Sequence, residues 1–304
     1  MQEFYLQMPE PSFLHCCVWY PQGEPLAVIQ IIHGVSEYIA RYDGFASWLA
    51  AQGFLVVGHD NPGHGRSVGE GEQLGYLDGG WSNAVACIQR LYEKTSADYP
   101  GLPYFMLGHS MGSFLLRSYL ISYATKLDGA ILSGTGWIGT PLLTAGRAMC
   151  RLEATRLGER KCSKLLLSMM FGMYNQKFSP NRTPYDWIST DEAVVDAYAA
   201  DPFCTASASV QLCREMMDGI RFNQLKANLA KMNKEIPVLF FSGDQDPVGD
   251  MGKGVLRSAK AFEGASMKQV SVKMYRGMRH ETLNEIGKEA VYEHVAQWLQ
   301  DHIS

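Results

Sequence analysis

Three short apolar runs constrain this chain more than any other feature. They are "LAVIQII" (26–32), "FLVVGHD" (54–60) and "YFMLGHS" (104–110). The first is β-branched at Val28, Ile29, Ile31 and Ile32. Such continuous runs mark strands buried on both faces of a sheet. Helix-like segments separate them. Residues 43–52 form one, and "WSNAVACIQRLYEK" places Trp81, Val85, Ile88, Leu91 and Tyr92 at helical spacing. "MGSFLLRSYLISY" follows the third run as a helix, and "GAILSG" (129–134) follows that as a strand. A β-α-β-α rhythm of this kind implies a parallel sheet with helices on both faces.

Two further strands precede the rhythm, "EFYLQM" and "FLHCCVWY", with a Pro-rich turn between them. The rhythm breaks from about 135 to 215, where Leu, Met and aromatic residues read as helices and loops. Within that stretch "STDEAVVDAYAADP" predicts a capping box from Ser189 to Glu192, with Pro202 as the stop. Alternation resumes with "IPVLFFSG", "KGVLRSAKAF" and "VSVKMYRG". A last helix, 287–302, carries Val291, Val295, Trp298 and Leu299 on one stripe. The expected plan is one α/β core, 1–134 and 216–304, with a helical insertion, 135–215, after the sixth strand.

With 304 residues, 46% of them hydrophobic, the chain can hold such a core and its insertion. Its net charge is −4 and its basic residues are scattered, which argues against nucleic acid as a partner. The seven cysteines form no C-x-x-C pair, so we expect reduced thiols in a cytoplasmic setting. "MQEFYLQMPE" lacks the basic start and apolar core of a secretory signal. The sequon at Asn181-Arg182-Thr183 is therefore read as chance. The longest apolar stretch, "LLLSMMFGMY" (165–174), is too short to span a bilayer.

Chemistry centres on "GHSMGS" (108–113). A G-x-S-x-G match alone is weak, but here a buried strand precedes it and a helix follows, the setting in which a tight turn presents a serine as nucleophile. Ser110 then sits above the carboxyl ends of parallel strands and at a helix N-terminus, where free N–H groups favour developing negative charge. A serine hydroxyl needs a base and an orienting carboxylate. Among eight histidines, His280 lies in "YRGMRHETLNE", between the last strand and the last helix, at the edge where loops converge. His109 is Ser110's chain neighbour, and its ring should diverge from the hydroxyl. "FFSGDQDPVGD" offers the acid. Asp246, stiffened by Pro247, is favoured, with Asp244 as the rival. For the oxyanion, the expected donors are the backbone N–H groups of Met111 and of Val35, which follows His33-Gly34 at the end of a strand. A metal reading of His59, Asp60 and His64 in "HDNPGHGRS" is weaker than a plain Pro-Gly turn, and no cofactor is expected.

"HGVSEYIARYDGFASWLAAQGFLVVGHDNPGHGRS", "GHSMGS", "GDQDPVGD" and "GMRHETLNE" together resemble the α/β-hydrolase fold. More narrowly they resemble its monoacylglycerol lipase and lysophospholipase branch, often described as serine aminopeptidase-like. The resemblance implies a mostly parallel eight-stranded sheet with helices on both faces and an inserted helical cap over the site. It maps the nucleophile onto Ser110, the acid onto Asp246 counting from Gly243, the base onto His280, and the oxyanion donors onto Val35 and Met111. The implied activity is cleavage of carboxylic esters through an acyl-enzyme. The implied substrate is a small, lipid-like ester, with transient contact between cap and membrane surface. Two rivals stay open at this point. One is an aminopeptidase-like amide hydrolase using Glu153 or Glu159 to hold a substrate amine. The other is a ligand-binding protein that has lost turnover on the same scaffold.

Overall fold

The computed structural model describes residues 1–8, 13–69, 71–123 and 126–303. The chain runs β1 (Gln2–Gln7), β2 (Phe13–Trp19), β3 (Val28–Ile32), α1 (Asp43–Ala51), β4 (Leu55–His59), α2 (Gly80–Asp98), β5 (Tyr104–His109), α3 (Met111–Ser122) and β6 (Gly129–Ser133). A helical stretch follows: α4 (Thr140–Leu157), α5 (Lys164–Leu167), α6 (Met173–Gln176), α7 (Glu192–Ala200), α8 (Val210–Gln224) and α9 (Lys226–Leu229). It closes with β7 (Val238–Gly243), α10 (Lys253–Gly264), β8 (Val270–Tyr275) and α11 (Glu289–Asp301). The Pro-rich turn expected between β1 and β2 lies at residues 9–12, outside the described residues.

The eight strands form one sheet in the order β1-β2-β4-β3-β5-β6-β7-β8. β2 runs antiparallel to β1 and β4, and the pairs from β4 to β8 are parallel. Strand alternation divides the buried runs between two cores. Val28, Tyr104, Met106, Val238 and Phe240 point to the face covered by α2, α3, α8 and α10. Ile29, Ile31, Phe105, Leu107, Leu239 and Phe241 point to the face covered by α1 and α11. Each fully buried Phe, Leu or Ile contributes about 1.5–3 kcal/mol relative to an exposed one. That is why these runs carry no polar alternation.

The helical stretch departs from expectation twice. Residue 215 lies inside α8, so a division at 215/216 cuts a helix. The helical segment instead continues through Leu229. The reason is packing: Val210, Leu212, Cys213, Met216 and Ile220 bury one stripe of α8 in the core beneath the sheet. The expected capping box is also displaced. α7 begins at Glu192 with Asp191 as its N-cap, the Asp191 side chain accepting from the Ala193 N–H. Ser189 and Thr190 are drawn out of the helix because Thr190 donates through both its N–H and its hydroxyl to Glu285.

β3 pairs with β4 on one side and with β5 on the other, so the chain reverses direction across the sheet here. Open α/β sheets form their crevice at such a point, beyond the strands' carboxyl ends. The β5-to-α3 turn closes tightly there. A Cβ on Gly108 would lie 2.4 Å from the Gly112 carbonyl oxygen, and one on Gly112 would lie 2.0 Å from that of Ile32. Gly112→Ala should therefore destabilise by about 1–3 kcal/mol, as overpacking does. Thermal unfolding checks this, and an unchanged midpoint would show that the turn is looser than described.

Candidate active site

Ser110 joins β5 to α3 with φ 52° and ψ −119°, a left-handed conformation for a residue bearing a side chain. Such strain costs about 1–3 kcal/mol and persists only where the surroundings over-determine it. The determinants are visible. Ser110 N–H donates to Ser133 O at 2.9 Å, and Ser110 O accepts from the Ser113 N–H and hydroxyl at 2.9 and 2.6 Å. Met111 opens α3, within the first turn whose amides lack intrahelical acceptors.

The loop after β3 approaches from the other side. A Cβ on Gly34 would lie 3.0 Å from Ser110 Cβ, so only glycine lets the backbone lie this close. His33 shapes the loop. Its Nδ1–H donates to Gly34 O at 2.7 Å and its Nε2 accepts from the Asn61 N–H at 2.8 Å, which fixes one tautomer. Burial first, and the neighbouring His64 second, push its imidazole down to about 3, so it stays neutral. Ser36, next along, also has a left-handed φ of 53°.

His280 lies between β8 and α11, buried at 3% exposure, and its Nδ1 donates to Asp246 Oδ1 at 3.0 Å. Asp246 is fully buried. It also accepts from the Ser242 hydroxyl and from the Val248 N–H, each at 2.9 Å. Burial pushes the Asp246 carboxyl up, but the His280 charge and these hydrogen bonds outweigh it and leave it below the usual range. Burial likewise works against the charged imidazole of His280, yet Asp246, followed by Glu281 and Glu37, leaves it raised. Asp244 faces elsewhere and accepts from the Gly277 N–H at 2.8 Å. His109 does not approach as a second base. Its ring packs on that of His280 with centroids 4.6 Å apart, and Gly134 leaves room for both rings.

Sequence reading missed a second layer. Glu37 is buried and accepts from the Gly34 N–H at 2.5 Å, from the Tyr42 hydroxyl at 2.9 Å and from Arg41 at 2.9 Å. Arg41 also forms a two-pronged pair with Glu281, both contacts at 2.8 Å. Burial pushes both carboxyls up. The Arg41 fork overcomes it at Glu281, which falls to about 2, while Glu37 stays raised. The one sequence signal for this layer is the i, i+4 spacing of Glu37 and Arg41. The helical stretch adds Trp187, whose ring lies 5.0 Å from that of His280, and Tyr174, 5.1 Å from Trp187.

Other expected groups fall outside this cluster. Glu153 is held by Arg156 and Ser163, and Glu159 by Arg214. Neither is a free carboxylate awaiting an amine. Asp60 accepts from His15, Ile39 and Arg66, and converges with neither His59 nor His64 as a ligand set. Among the described residues, the group with converging ligand atoms is instead Glu3, His15 and Cys17, on the antiparallel edge. There Arg66 already pairs with Glu3, and burial pushes the Cys17 thiol up to about 12.

Comparison with known proteins agrees with this architecture. The family described as serine aminopeptidase, S33, matches residues 23–287. Rat monoglyceride lipase is 27% identical over 99% of this chain and 91% of its own length. The monoacylglycerol lipase of Mycolicibacterium smegmatis is 28% identical over 94% of this chain and 92% of its own. A thermostable carboxyl esterase from Bacillus coagulans, solved with glycerol, superposes with a TM-score of 0.92 at 27% identity, covering 100% of this chain and 99% of that one. The eight-stranded sheet is thus an α/β-hydrolase sheet, and the chain belongs to the serine aminopeptidase S33 family.

Proposed function

We propose that this chain hydrolyses small carboxylic esters of the monoacylglycerol or lysophospholipid class through an acyl-enzyme on Ser110. The observation that carries the reading is the buried Asp246–His280 pair, whose imidazole packs on His109, one position before a strained serine at the sheet's reversal point. Asp246 fixes His280 with its proton on Nδ1, which leaves Nε2 to take the Ser110 proton. Ser110 Oγ attacks the ester carbonyl, and the Val35 and Met111 amides receive the oxyanion. The alcohol leaves with the proton from His280, and water then releases the acid by the same steps reversed. Ser110 has no hydrogen bond to His280 in this structure. In this mechanism that contact tightens when substrate binds, as in many unliganded hydrolases.

The helical stretch from α4 to α7 serves as the cap. Supporting a lipid-like substrate, it exposes Leu142, Leu152, Leu165, Met169 and Met173. These side chains suit brief contact with a membrane surface. No helix among the described residues is long and apolar enough to cross one. The seven free thiols suit a reducing, cytoplasmic setting.

A chain-length series of monoacylglycerols, assayed beside aminoacyl amides, tests the class of substrate. Ester turnover should exceed amide turnover at least about a hundredfold, the scale on which a well-placed site discriminates. Preference for the amides would favour the peptidase reading. A folded protein that a fluorophosphonate fails to label would favour the ligand-binding one.

A further inference from the structure

The loop carrying the Val35 amide is held from outside the sheet. Ser36 has a left-handed φ of 53°, a conformation unfavourable for any residue with a Cβ. Residues of the helical stretch grip it on both sides. Tyr198 of α7 donates its hydroxyl to Ser36 O at 2.9 Å, and Ser36 donates its own hydroxyl to Ala206 O at 3.0 Å. Tyr38 donates to Asp201 Oδ2 at 2.7 Å. The same Tyr198 ring lies 4.8 Å below the guanidinium of Arg41. Arg41 then reaches Glu37, which holds the Gly34 N–H, and Glu281, the neighbour of His280. One side chain therefore touches the oxyanion loop, the histidine loop and the helical stretch.

We propose that Arg41 and Tyr198 form an interlock: seating of the 192–206 segment sets the backbone of the 33–37 loop and the place of His280, so the site is competent only when that segment is docked. Both are positioning residues. The physical reason is the strain at Ser36, which survives only while its partners fix it. With the segment lifted, Ser36 loses two hydrogen bonds and Arg41 loses the ring beneath it. The Val35 amide is then free to turn away from the oxyanion. The inference rests on the ester-hydrolase reading above.

Two mild substitutions test it. Arg41→Lys keeps the charge but cannot fork between Glu37 and Glu281. Tyr198→Phe keeps the ring and removes only the hydroxyl on Ser36. With a short aryl ester, Arg41→Lys should lower kcat about a hundredfold, the cost of a misplacement near 1 Å. Tyr198→Phe should lower it about tenfold, the lower end for loss of an outer-layer partner. KM should hold within about twofold in both, because the lost contacts act on the transition state. Asp246, Glu281 and Glu37 act on the charge of His280, Arg41 pairs with the two glutamates, and the rings of His109 and Trp187 pack against the imidazole. The lysine preserves the charge among them, so the acidic limb of the pH profile should stay in place.

Wild-type kcat in both variants overturns the interlock. So does a raised KM with kcat kept, or a fall in kcat matched by a shifted pH limb. If Arg41→Lys does not fold, the Tyr198→Phe result decides alone. Wild-type hydrolysis that survives Ser110→Ala would overturn the ester-hydrolase mechanism and the interlock with it. Ser110-dependent hydrolysis that is indifferent to both variants removes only the interlock.

Discussion

Ser110→Ala is expected to lower ester turnover about a million-fold, the scale seen when a serine nucleophile is removed. Among the described residues, the neighbouring Ser113 hydroxyl is committed to Ser110 O at 2.6 Å, and the Ser133 hydroxyl lies against His109. Residual catalysis should come from the oxyanion donors and binding alone, about a thousandfold over water. Alanine must adopt the same φ of 52°, so the unfolding midpoint should barely move. Steady-state hydrolysis of a short aryl ester, with fluorophosphonate labelling beside it, reads both effects. Activity within tenfold of wild type would remove Ser110 from the mechanism.

Asp246→Asn carries the next largest effect, about ten-thousandfold in kcat, because the amide favours the wrong imidazole tautomer. Asp244→Asn should stay near wild type, since Asp244 accepts from the Gly277 N–H and the Gln245 amide, away from His280. The pH dependence separates the two further. In the proposed mechanism His280 works as a base only when neutral, and its pKa is raised, so wild-type kcat/KM should climb through a limb above that of an ordinary histidine. Asp246 is the foremost raising influence, against burial that lowers. In Asp246→Asn burial prevails, and the limb of the remaining activity should move to lower pH. In Asp244→Asn it should stay where it is. The reverse pattern would exchange the two aspartates.

The parts of the molecule legible in the sequence are those fixed by local pattern. β3, β4, β5 and β7 announce themselves because both of their faces are buried, and α2, α10 and α11 because one stripe is, whereas α3 is buried all round from Met111 to Ile121. Ser110 and His280 stand out because each lies in a connection that follows a strand. In the sequence, only Pro247 and the resemblance favour Asp246 over Asp244. The structure puts Asp246 on the imidazole and Asp244 on a backbone turn.

What was not legible depends on distant partners. Arg41 and Glu281 stand 240 positions apart, and no periodicity links them. Thr190 is pulled from the expected capping box by Glu285, 95 positions away. Trp187 reaches His280 where the Glu281 N–H docks on Ile188 O at 2.7 Å and Arg279 bonds to Asp186 O and Ser189 O. The division at 215/216 falls inside α8, which begins in the stretch read as irregular and packs its apolar residues into the core.

The φ of 52° at Ser110 also has an evolutionary side. Glycine would occupy that conformation without penalty, so retaining serine there sacrifices stability in every generation. A descendant released from turnover would gain by exchanging this one residue and would lose nothing in folding. On the proposed mechanism, glycine at position 110, more than any change at Asp246 or His280, would mark a lineage that had given up its chemistry.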